Sequence, residues 1–325
     1  MLTCVAYENK TAWLIGEDMK AVNQLGLIES LVAAISKFKK DICFVKTDRH
    51  TNQRLEVTDL GKAMRLCMKS GIEEIEKYFP IHTFNPYVKA FIKSVRLHQL
   101  DQMPSHPVRT FSNEDVGRWC AAMNACAKTI RMETATPEFK SLIRGVQRSC
   151  NKNFEGVMNY FQALFKKNGR HLALRVDVGY KKVSNFDQAG SDVSYDDTRR
   201  HREDFIDEIR KRYKKNLLGY VWKVEHGLLK GYHHHILVFL DGSNVCRDVS
   251  HVKMLGDHWD NEITEGRGVH WNCNANKASY RFCGIGMLKH DDPTIWEGLE
   301  NIATYLTKPD YFAKLNMPGN DRALG

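Results

Sequence analysis

The sequence lacks the features of a secreted or membrane-spanning protein. It contains no run of about 18 apolar residues, so no transmembrane helix is predicted. Met1–Lys10 does not have the positive charge followed by an apolar core that is typical of a secretory signal. We therefore expect a protein of the cytoplasm with no membrane partner.

Paired cysteines and regularly placed prolines are absent as well. The chain has nine cysteines, an odd number, and no two of them form a C-x-x-C pair. This pattern argues against a disulfide framework and against a zinc site built from cysteines, and it fits a reducing compartment. No proline occurs between Pro137 and Pro293, so the helices and strands predicted in that stretch are not interrupted by proline.

Basic residues are in surplus. The 325 residues include 48 Lys and Arg against 39 Asp and Glu, which gives a formal net charge of +9. A surplus of this size is compatible with binding a polyanion but does not by itself indicate nucleic acid. The densest basic cluster is a candidate for contacts with DNA phosphates, with a solvated helix face as the alternative. Its members are Arg210, Lys211, Arg212, Lys214 and Lys215.

The first half of the chain has the apolar periodicity of helices. A chain of 325 residues suggests two domains at roughly 100–200 residues each. Ser112, followed three residues later by Asp115, resembles a capping box that opens a helix toward Thr134. We predict a mostly helical N-terminal region, residues 1–150, with binding of DNA or a partner as its expected role. The other helices predicted in or beginning within this half are Asp18–Lys40, Asp59–Phe79 and Phe139–Lys167.

The pattern changes near Arg170 to alternating strands. A strand is predicted over His171–Tyr180, where apolar residues occupy one face and Asp177 the other. Asp177 is interpreted either as a neighbour of a metal or DNA site or as a solvated carboxylate. Two further strands, Tyr220–His226 and Tyr232–Leu240, are joined by a hairpin-length loop. Charged helices surround them, so we predict an α+β fold with a central antiparallel sheet flanked by helices.

Three consecutive histidines begin the last of these strands. Side chains alternate along a strand, so His233 and His235 share one face while His234, interpreted as structural, lies on the other. If Gly227–Gly231 forms the loop, Glu225 pairs with His233, and directly paired residues share a face. Two imidazoles and a carboxylate can then bind one divalent cation. The alternative is a set of hydrogen-bonded core histidines without a metal.

A tyrosine and a lysine lie three residues apart near the end of the chain. Tyr305 and Lys308 would lie on the same side of a helix that begins after Asp292-Pro293. A phenol can attack a phosphodiester when its proton is lost and the phosphate charge is neutralised by a cation such as a bound metal or a lysine. The Tyr/Lys pair alone is weak evidence for such a nucleophile, and it becomes informative only in combination with the histidine strand.

This combination resembles the HUH endonuclease superfamily of replication initiators, relaxases and related transposases. The resemblance is closer to one branch, the inovirus replication-initiator-like family, which includes the YagK/YfjJ-like C-terminal domain of prophage proteins. It covers about Arg170 to the C-terminus and little of residues 1–150. The strings that carry it are Leu174–Asp177, Trp222–Glu225, Gly231–His235, Phe239–Gly242, Gly284–Met287, His290–Asp292, Tyr305–Lys308 and Pro318–Arg322.

The resemblance implies a tyrosine endonuclease domain of the HUH type over residues 160–325. In it, His233, His235 and Glu225 would bind Mg²⁺ or Mn²⁺. Tyr305 would cleave one DNA strand and stay joined to its 5′ phosphate, with Lys308 assisting. The free 3′ hydroxyl would start rolling-circle replication of a phage, prophage or plasmid. Expected partners are single-stranded DNA or an origin hairpin, and a host helicase or polymerase.

Other readings of the same residues stay open at this point. A non-catalytic DNA-binding regulator could keep the metal site, and a relaxase or transposase would use the same chemistry. A metallohydrolase would use the histidines and Glu225 with an activated water and would not need Tyr305. Tyr311, six residues after Tyr305, does not fit the spacing of a paired-tyrosine helix and is interpreted as structural. The sequence does not indicate the oligomeric state.

Overall fold

The computed structural model describes residues 16–69, 72–103, 112–181, 193–227, 230–307, 312–318 and 321–325. These residues form a mixed α+β structure, which confirms the predicted fold class. They belong to two compact units. The helical unit comprises the described residues within 17–149 and 312–314, and the sheet unit comprises those within 150–307 and 315–325.

The helical unit is built on amphipathic helices around one apolar core. Ser112 and Asp115 form the predicted capping box, with the serine hydroxyl accepting from the Asp115 amide, and this satisfies amide groups at the start of the helix. Buried residues such as Ile28, Phe91 and Ile130 fill the core. The helices are α1 (Gly16–Lys37), α2 (Asp59–Lys69), α3 (Ile72–Tyr78), α4 (Pro86–Leu97), α5 (Asn113–Ala135) and the first part of α6 (Pro137–Lys167).

This unit also contains short strands that the helical prediction did not include. Strands β1 (Cys43–Thr47) and β2 (Gln53–Val57) form an antiparallel hairpin. Strand β3 (His82–Phe84) pairs with β9 (Ala313–Leu315). Within the helix predicted over Asp59–Phe79, the described residues form α2 and α3, and the two residues between them, Ser70 and Gly71, lie outside the described residues.

The sheet unit is organised around one antiparallel sheet. Its strands follow the order β5, β6, β4 and β7, and β8 also pairs with β4. The strands are β4 (Arg170–Tyr180), β5 (Leu217–Gly227), β6 (Gly231–Asp241), β7 (Gly268–Asn272) and β8 (Gly286–Lys289). The flanking helices are α6, α7 (Tyr195–Tyr213), α8 (Asp248–His258) and α9 (Thr294–Thr307).

Each face of this sheet has its own core because side chains alternate along the strands. Helices α6 and α9 pack on one face, where Phe161 and Leu299 contact Leu237 and its neighbours. Helices α7 and α8 pack on the other face, where Phe205 is fully buried. The sheet is therefore covered on both sides, and any polar residue on its inner faces needs a partner.

The hairpin of β5 and β6 has the register that the sequence predicts. Glu225 pairs with His233 and His226 pairs with Tyr232, so the prediction is confirmed. Strand β4 lies on the other side of β6 and pairs Asp177 with His235. Cross-strand partners share a face, so an acidic residue lies on each side of the histidine strand.

No helix within the described ranges combines the length and the apolar character that crossing a membrane requires.

Candidate active site

Three potential metal ligands meet on the α6/α9 face of the sheet. Single ligand atoms from Glu225, His233 and His235 all lie within 4.8 Å of one another. The Glu225 Oε2 atom is 3.5 Å from His233 Nε2 and 3.4 Å from His235 Nε2. Two atoms that each bind one ion at about 2.1 Å, at a tetrahedral angle, are about 3.4 Å apart. The spacing therefore fits a single small divalent cation.

The donor set and its surroundings support the same fit. Glu225 Oε1 is buried and has no hydrogen-bond partner among the described residues. A buried carboxylate oxygen without a donor is costly unless a cation or water satisfies it. Gly179 leaves space beside His233, since a Cβ atom there would lie 3.3 Å from the His233 Cβ. A mixed nitrogen and oxygen set suits several divalent metals, and it does not identify the ion.

A second layer of charged groups supports His235 from strand β4. The Asp177 Oδ1 atom lies 2.9 Å from His235 Nδ1, on the side of the ring away from Glu225. Arg175 donates to both oxygens of Asp177, at 3.2 Å each. A carboxylate on the far nitrogen of a metal-binding imidazole fixes the orientation of the ring and makes it a stronger ligand.

These contacts shift the pKa values of the buried acids and of His235. Burial raises the pKa of both Glu225 and Asp177. The positive charge of His235 lowers the pKa of Glu225 by more than burial raises it, and Arg175 and His235 together do the same for Asp177. The pKa of both carboxyls thus falls below its usual range. Burial lowers the pKa of His235, yet Asp177 and Glu225 together raise it to about 9. Without a metal, His235 is protonated at neutral pH.

Tyr305 projects from α9 toward the same cluster. Its hydroxyl lies 3.3 Å from His235 Nε2, and the two rings meet edge to face with centroids 5.1 Å apart. The Arg175 guanidinium lies over the phenol ring, 4.6 Å from its centroid. Burial and then Glu225 raise the pKa of Tyr305, and Arg175 offsets this only in part, so the phenol stays neutral in the metal-free site.

Two glycines bring α9 close enough for this contact. A Cβ atom on Gly298 would lie 2.5 Å from the Gly284 nitrogen, and one on Gly284 would lie 2.7 Å from the Gly298 carbonyl oxygen. Only glycine at both positions lets the helix backbone lie directly against the segment before β8. Ile302 and Leu306 then face the core, which leaves Tyr305 at the edge of the buried stripe, next to the sheet.

The remaining predicted residues are not part of this cluster. Lys308 and Tyr311 lie outside the described residues, so their predicted roles remain predictions. In the basic cluster of α7, Arg210 pairs with Asp207 at 2.7 Å and Arg212 pairs with Glu208. The other members, Lys211, Lys214 and Lys215, are exposed. Helix α7 covers the opposite face of the sheet, and the structure does not bring this cluster to the metal ligands.

His234 points away from the metal ligands, as strand alternation predicts. It is fully buried in the α7/α8 core, and its ring lies 6.0 Å from the Trp259 ring. Burial, with the charge of nearby Arg202, lowers its pKa well below the usual value. His234 is therefore a neutral core residue, separate from the candidate metal ligands.

Arg175 is the contributor that the sequence did not reveal. Its side chain is buried between Asp177 and Tyr305, although strand alternation alone could equally have placed it in solvent. The available signal was its position two residues from Asp177 in an otherwise apolar strand. The contact with Tyr305 depends on tertiary packing, so no local pattern could have assigned it.

Comparisons with known proteins give one match. The family model of the YagK/YfjJ C-terminal domain matches residues 132–310, which is more than half of the chain. No curated protein and no solved structure matches. The matched region contains the histidine hairpin, strand β4 and Tyr305.

Proposed function

The chain belongs to the YagK/YfjJ C-terminal domain family, and on this premise we propose that it is a metal-dependent, tyrosine-type DNA-nicking enzyme of the HUH superfamily. One observation carries the proposal. The Tyr305 hydroxyl lies 3.3 Å from a nitrogen of His235, one of three residues suited to bind a single cation. The family and the site together favour the initiation of rolling-circle replication in a phage or prophage, with a plasmid element as the alternative.

The proposed reaction is a transesterification on one DNA strand. The Tyr305 oxygen attacks a phosphorus atom and gives up its proton, and the bond from phosphorus to the 3′ oxygen breaks. The leaving oxygen takes up a proton and becomes a free 3′ hydroxyl, while the 5′ phosphate stays joined to the tyrosine. No oxidant or energy source is consumed, because one phosphodiester replaces another. The free 3′ hydroxyl would then be extended by a host polymerase.

A neutral phenol is a poor nucleophile, so the site must stabilise the charged form. Glu225, His233 and His235 are the residues that would hold Mg²⁺ or Mn²⁺, which when bound supplies positive charge next to the reacting phosphate. Asp177 places a negative charge 2.9 Å from the far ring nitrogen of His235, and Arg175 adds a fixed positive charge over the phenol ring. Lys308, by the resemblance of the Tyr-x-x-Lys motif, would assist at the phosphate.

The proximity of the phenol favours this reaction over hydrolysis by an activated water. A metallohydrolase would need the cation and a base, and a tyrosine packed on the ligand ring would only occupy the space for water. The two reactions leave different products. Attack by Tyr305 leaves a covalent protein–DNA adduct, whereas hydrolysis leaves two free DNA ends.

The test uses single-stranded DNA labelled at its 3′ end. The purified full chain is incubated with a labelled library of random single-stranded oligonucleotides and Mn²⁺, then separated by denaturing electrophoresis. We expect label to migrate with the protein, because the tyrosine retains the 3′ fragment through its 5′ phosphate. Tyr305→Phe should lose this band entirely, and chelation with EDTA should prevent it.

A matched variant controls for the loss of a phenol elsewhere. Tyr220→Phe removes a hydroxyl on strand β5 that accepts from Arg210 and takes no part in the cluster. It should form the adduct at the wild-type rate. An adduct that survives Tyr305→Phe, or cleavage by the wild type without any adduct, would contradict the proposal.

A further inference from the structure

Helix α6 carries a row of basic side chains on its outer surface. Lys140, Arg144, Arg148 and Lys152 are all exposed and recur every four residues. We call these four residues the basic row. An α-helix rises about 1.5 Å per residue, so neighbouring members are about 6 Å apart and the row is about 18 Å long. All four lie on one helix, and the helix alone fixes their spacing.

The basic row has no acidic partners in the part of the chain that the structure describes. None of its members forms an ion pair or side-chain hydrogen bond with a described residue, and no Asp or Glu lies between Glu138 and Glu155. The basic cluster of α7 differs, because Arg210 and Arg212 are paired with carboxylates of their own helix. The positive charge of α6 is therefore not neutralised within its own helix.

The space beside two glycines near the basic row is open. A Cβ atom added at Gly145 or Gly156 would have no described atom within 4 Å. The exposed amide side chains of Gln147 and Asn151 lie between the basic residues and can donate hydrogen bonds. The basic side chains and these amides together offer hydrogen-bond donors to an extended, negatively charged chain.

We propose that the basic row binds the sugar-phosphate backbone of DNA. This inference rests on the proposed function, which makes DNA the substrate. Even in duplex DNA, where phosphates of one strand are about 3.4 Å apart along the helix axis, a row about 18 Å long spans only a few phosphates, so each basic residue can face one. Lysine, arginine and amide side chains contact phosphates and hold the protein in register without reading the sequence. The basic row thus supplies affinity, while the metal cluster and Tyr305 supply chemistry.

The test removes two charges from the middle of the row. Arg144→Gln/Arg148→Gln keeps good helix-forming residues at exposed positions, so the fold should be unchanged by circular dichroism. Binding to a fluorescent single-stranded oligonucleotide is measured by anisotropy from 50 to 200 mM salt. We expect the slope of log K against log salt to fall by about 1.4, and affinity at low salt to weaken roughly tenfold.

Two control variants distinguish the effect of the basic row on DNA binding from the effect of the net charge of the protein. Lys39→Gln/Lys40→Gln removes the same charge from exposed positions on another part of the chain and should leave the slope unchanged. Arg144→Lys/Arg148→Lys retains the charge and should retain the slope. The proposal is overturned if the glutamine pair on α6 behaves like the Lys39 and Lys40 pair, or if the wild type shows no salt-dependent DNA binding.

Adduct formation is measured on the same proteins, so that the two proposals can fail separately. If the wild type forms no adduct but the glutamine pair still lowers the salt slope, DNA binding by the basic row is supported and the nicking proposal is contradicted. If adducts form and the glutamine pair leaves the slope unchanged, nicking is supported and DNA binding by the basic row is contradicted.

Discussion

His235 connects the parts of the candidate site at the scale of single residues. One ring nitrogen faces Glu225 and Tyr305, and the other faces Asp177. The two carboxylates raise the pKa of His235 to about 9 despite its burial. Since a metal binds only the neutral imidazole, the same carboxylates that suit the site for a cation also retain a competing proton.

Metal affinity should therefore depend on pH. His235 is protonated below a pKa of about 9, so binding at neutral pH must release that proton. The apparent affinity for Mn²⁺ should rise up to tenfold for each unit between pH 6 and pH 8. Calorimetry in two buffers with different ionisation enthalpies should report about one proton released per ion. A pH-independent affinity would contradict the predicted competition.

Asp177→Asn should weaken metal binding although Asp177 is not itself a proposed ligand. The amide keeps the shape but removes the charge that strengthens His235 as a ligand, so the affinity corrected for the His235 proton should fall roughly 10–100-fold. Removing the Asp177 charge also lowers the pKa of His235, so the titrations are made at several pH values to separate proton competition from ligand strength. The loss should be seen in Mn²⁺ titrations of the metal-free protein. Asp257→Asn is the matched control, because it alters an exposed carboxylate that pairs only with Lys253 among the described residues. Equal affinities in the two variants would remove Asp177 from the site.

Helix α9 and the β5–β6 hairpin set the geometry of the site at the scale of elements. The hairpin places Glu225 opposite His233 through its register alone. Helix α9 brings Tyr305 to the histidines only because Gly284 and Gly298 allow close backbone contact. The tyrosine position thus depends on residues that are remote from it in sequence and carry no functional group.

Gly298→Ala tests this dependence. The added methyl would lie 2.5 Å from backbone atoms, so α9 must shift, and we expect a loss of about 1–3 kcal/mol in the free energy of unfolding. Adduct formation should fall further than stability explains, because Tyr305 moves with the helix. Gly156→Ala on α6 is the control, and its added methyl meets no described atom. That variant should gain about 0.5–1 kcal/mol. Urea unfolding measures the free energy of unfolding of both variants and so tests these opposite changes.

Local patterns predicted much of the sheet unit. Alternation predicted β4, β5 and β6, and a five-residue connection predicted the pairing of Glu225 with His233. The placement of β4 beside β6 was not predictable in this way, because nothing in either strand specifies a neighbour distant in sequence. The contact of Arg175 with Tyr305 was not predictable for the same reason, because it joins residues that are distant in sequence. In the helical unit, the β1–β2 hairpin was not predicted, because apolar and polar residues do not alternate clearly in Cys43–Thr47.

Two compact units with separate apolar cores make up the molecule at its largest scale. The core of the helical unit includes Ile28 and Phe91, whereas the sheet unit has one core on each face of its sheet. Every candidate ligand and Tyr305 belong to the sheet unit. A ligand stabilises the folded region that binds it, so a cation should act on one unit.

Hydrogen exchange should show this selectivity. Saturation with Mn²⁺ at 100 times its dissociation constant contributes about 2.7 kcal/mol to the stability of the region that binds it. Amide protection should therefore rise in β4, β5 and β6 and stay unchanged in α2 and α5. Mass spectrometry of the full chain with and without Mn²⁺ measures both at once. Equal protection gains in the two units would place the binding site elsewhere.

The buried charges around His235 also predict an order of assembly for the proposed nicking reaction. In the metal-free protein, the carboxylates of Asp177 and Glu225 balance the cations of Arg175 and His235. A divalent ion that enters and expels one proton leaves a single excess positive charge in a water-poor interior. One phosphodiester anion restores electroneutrality. The cation should thus load before the strand, and a methylphosphonate linkage, which has no charge, would gain nothing from that excess.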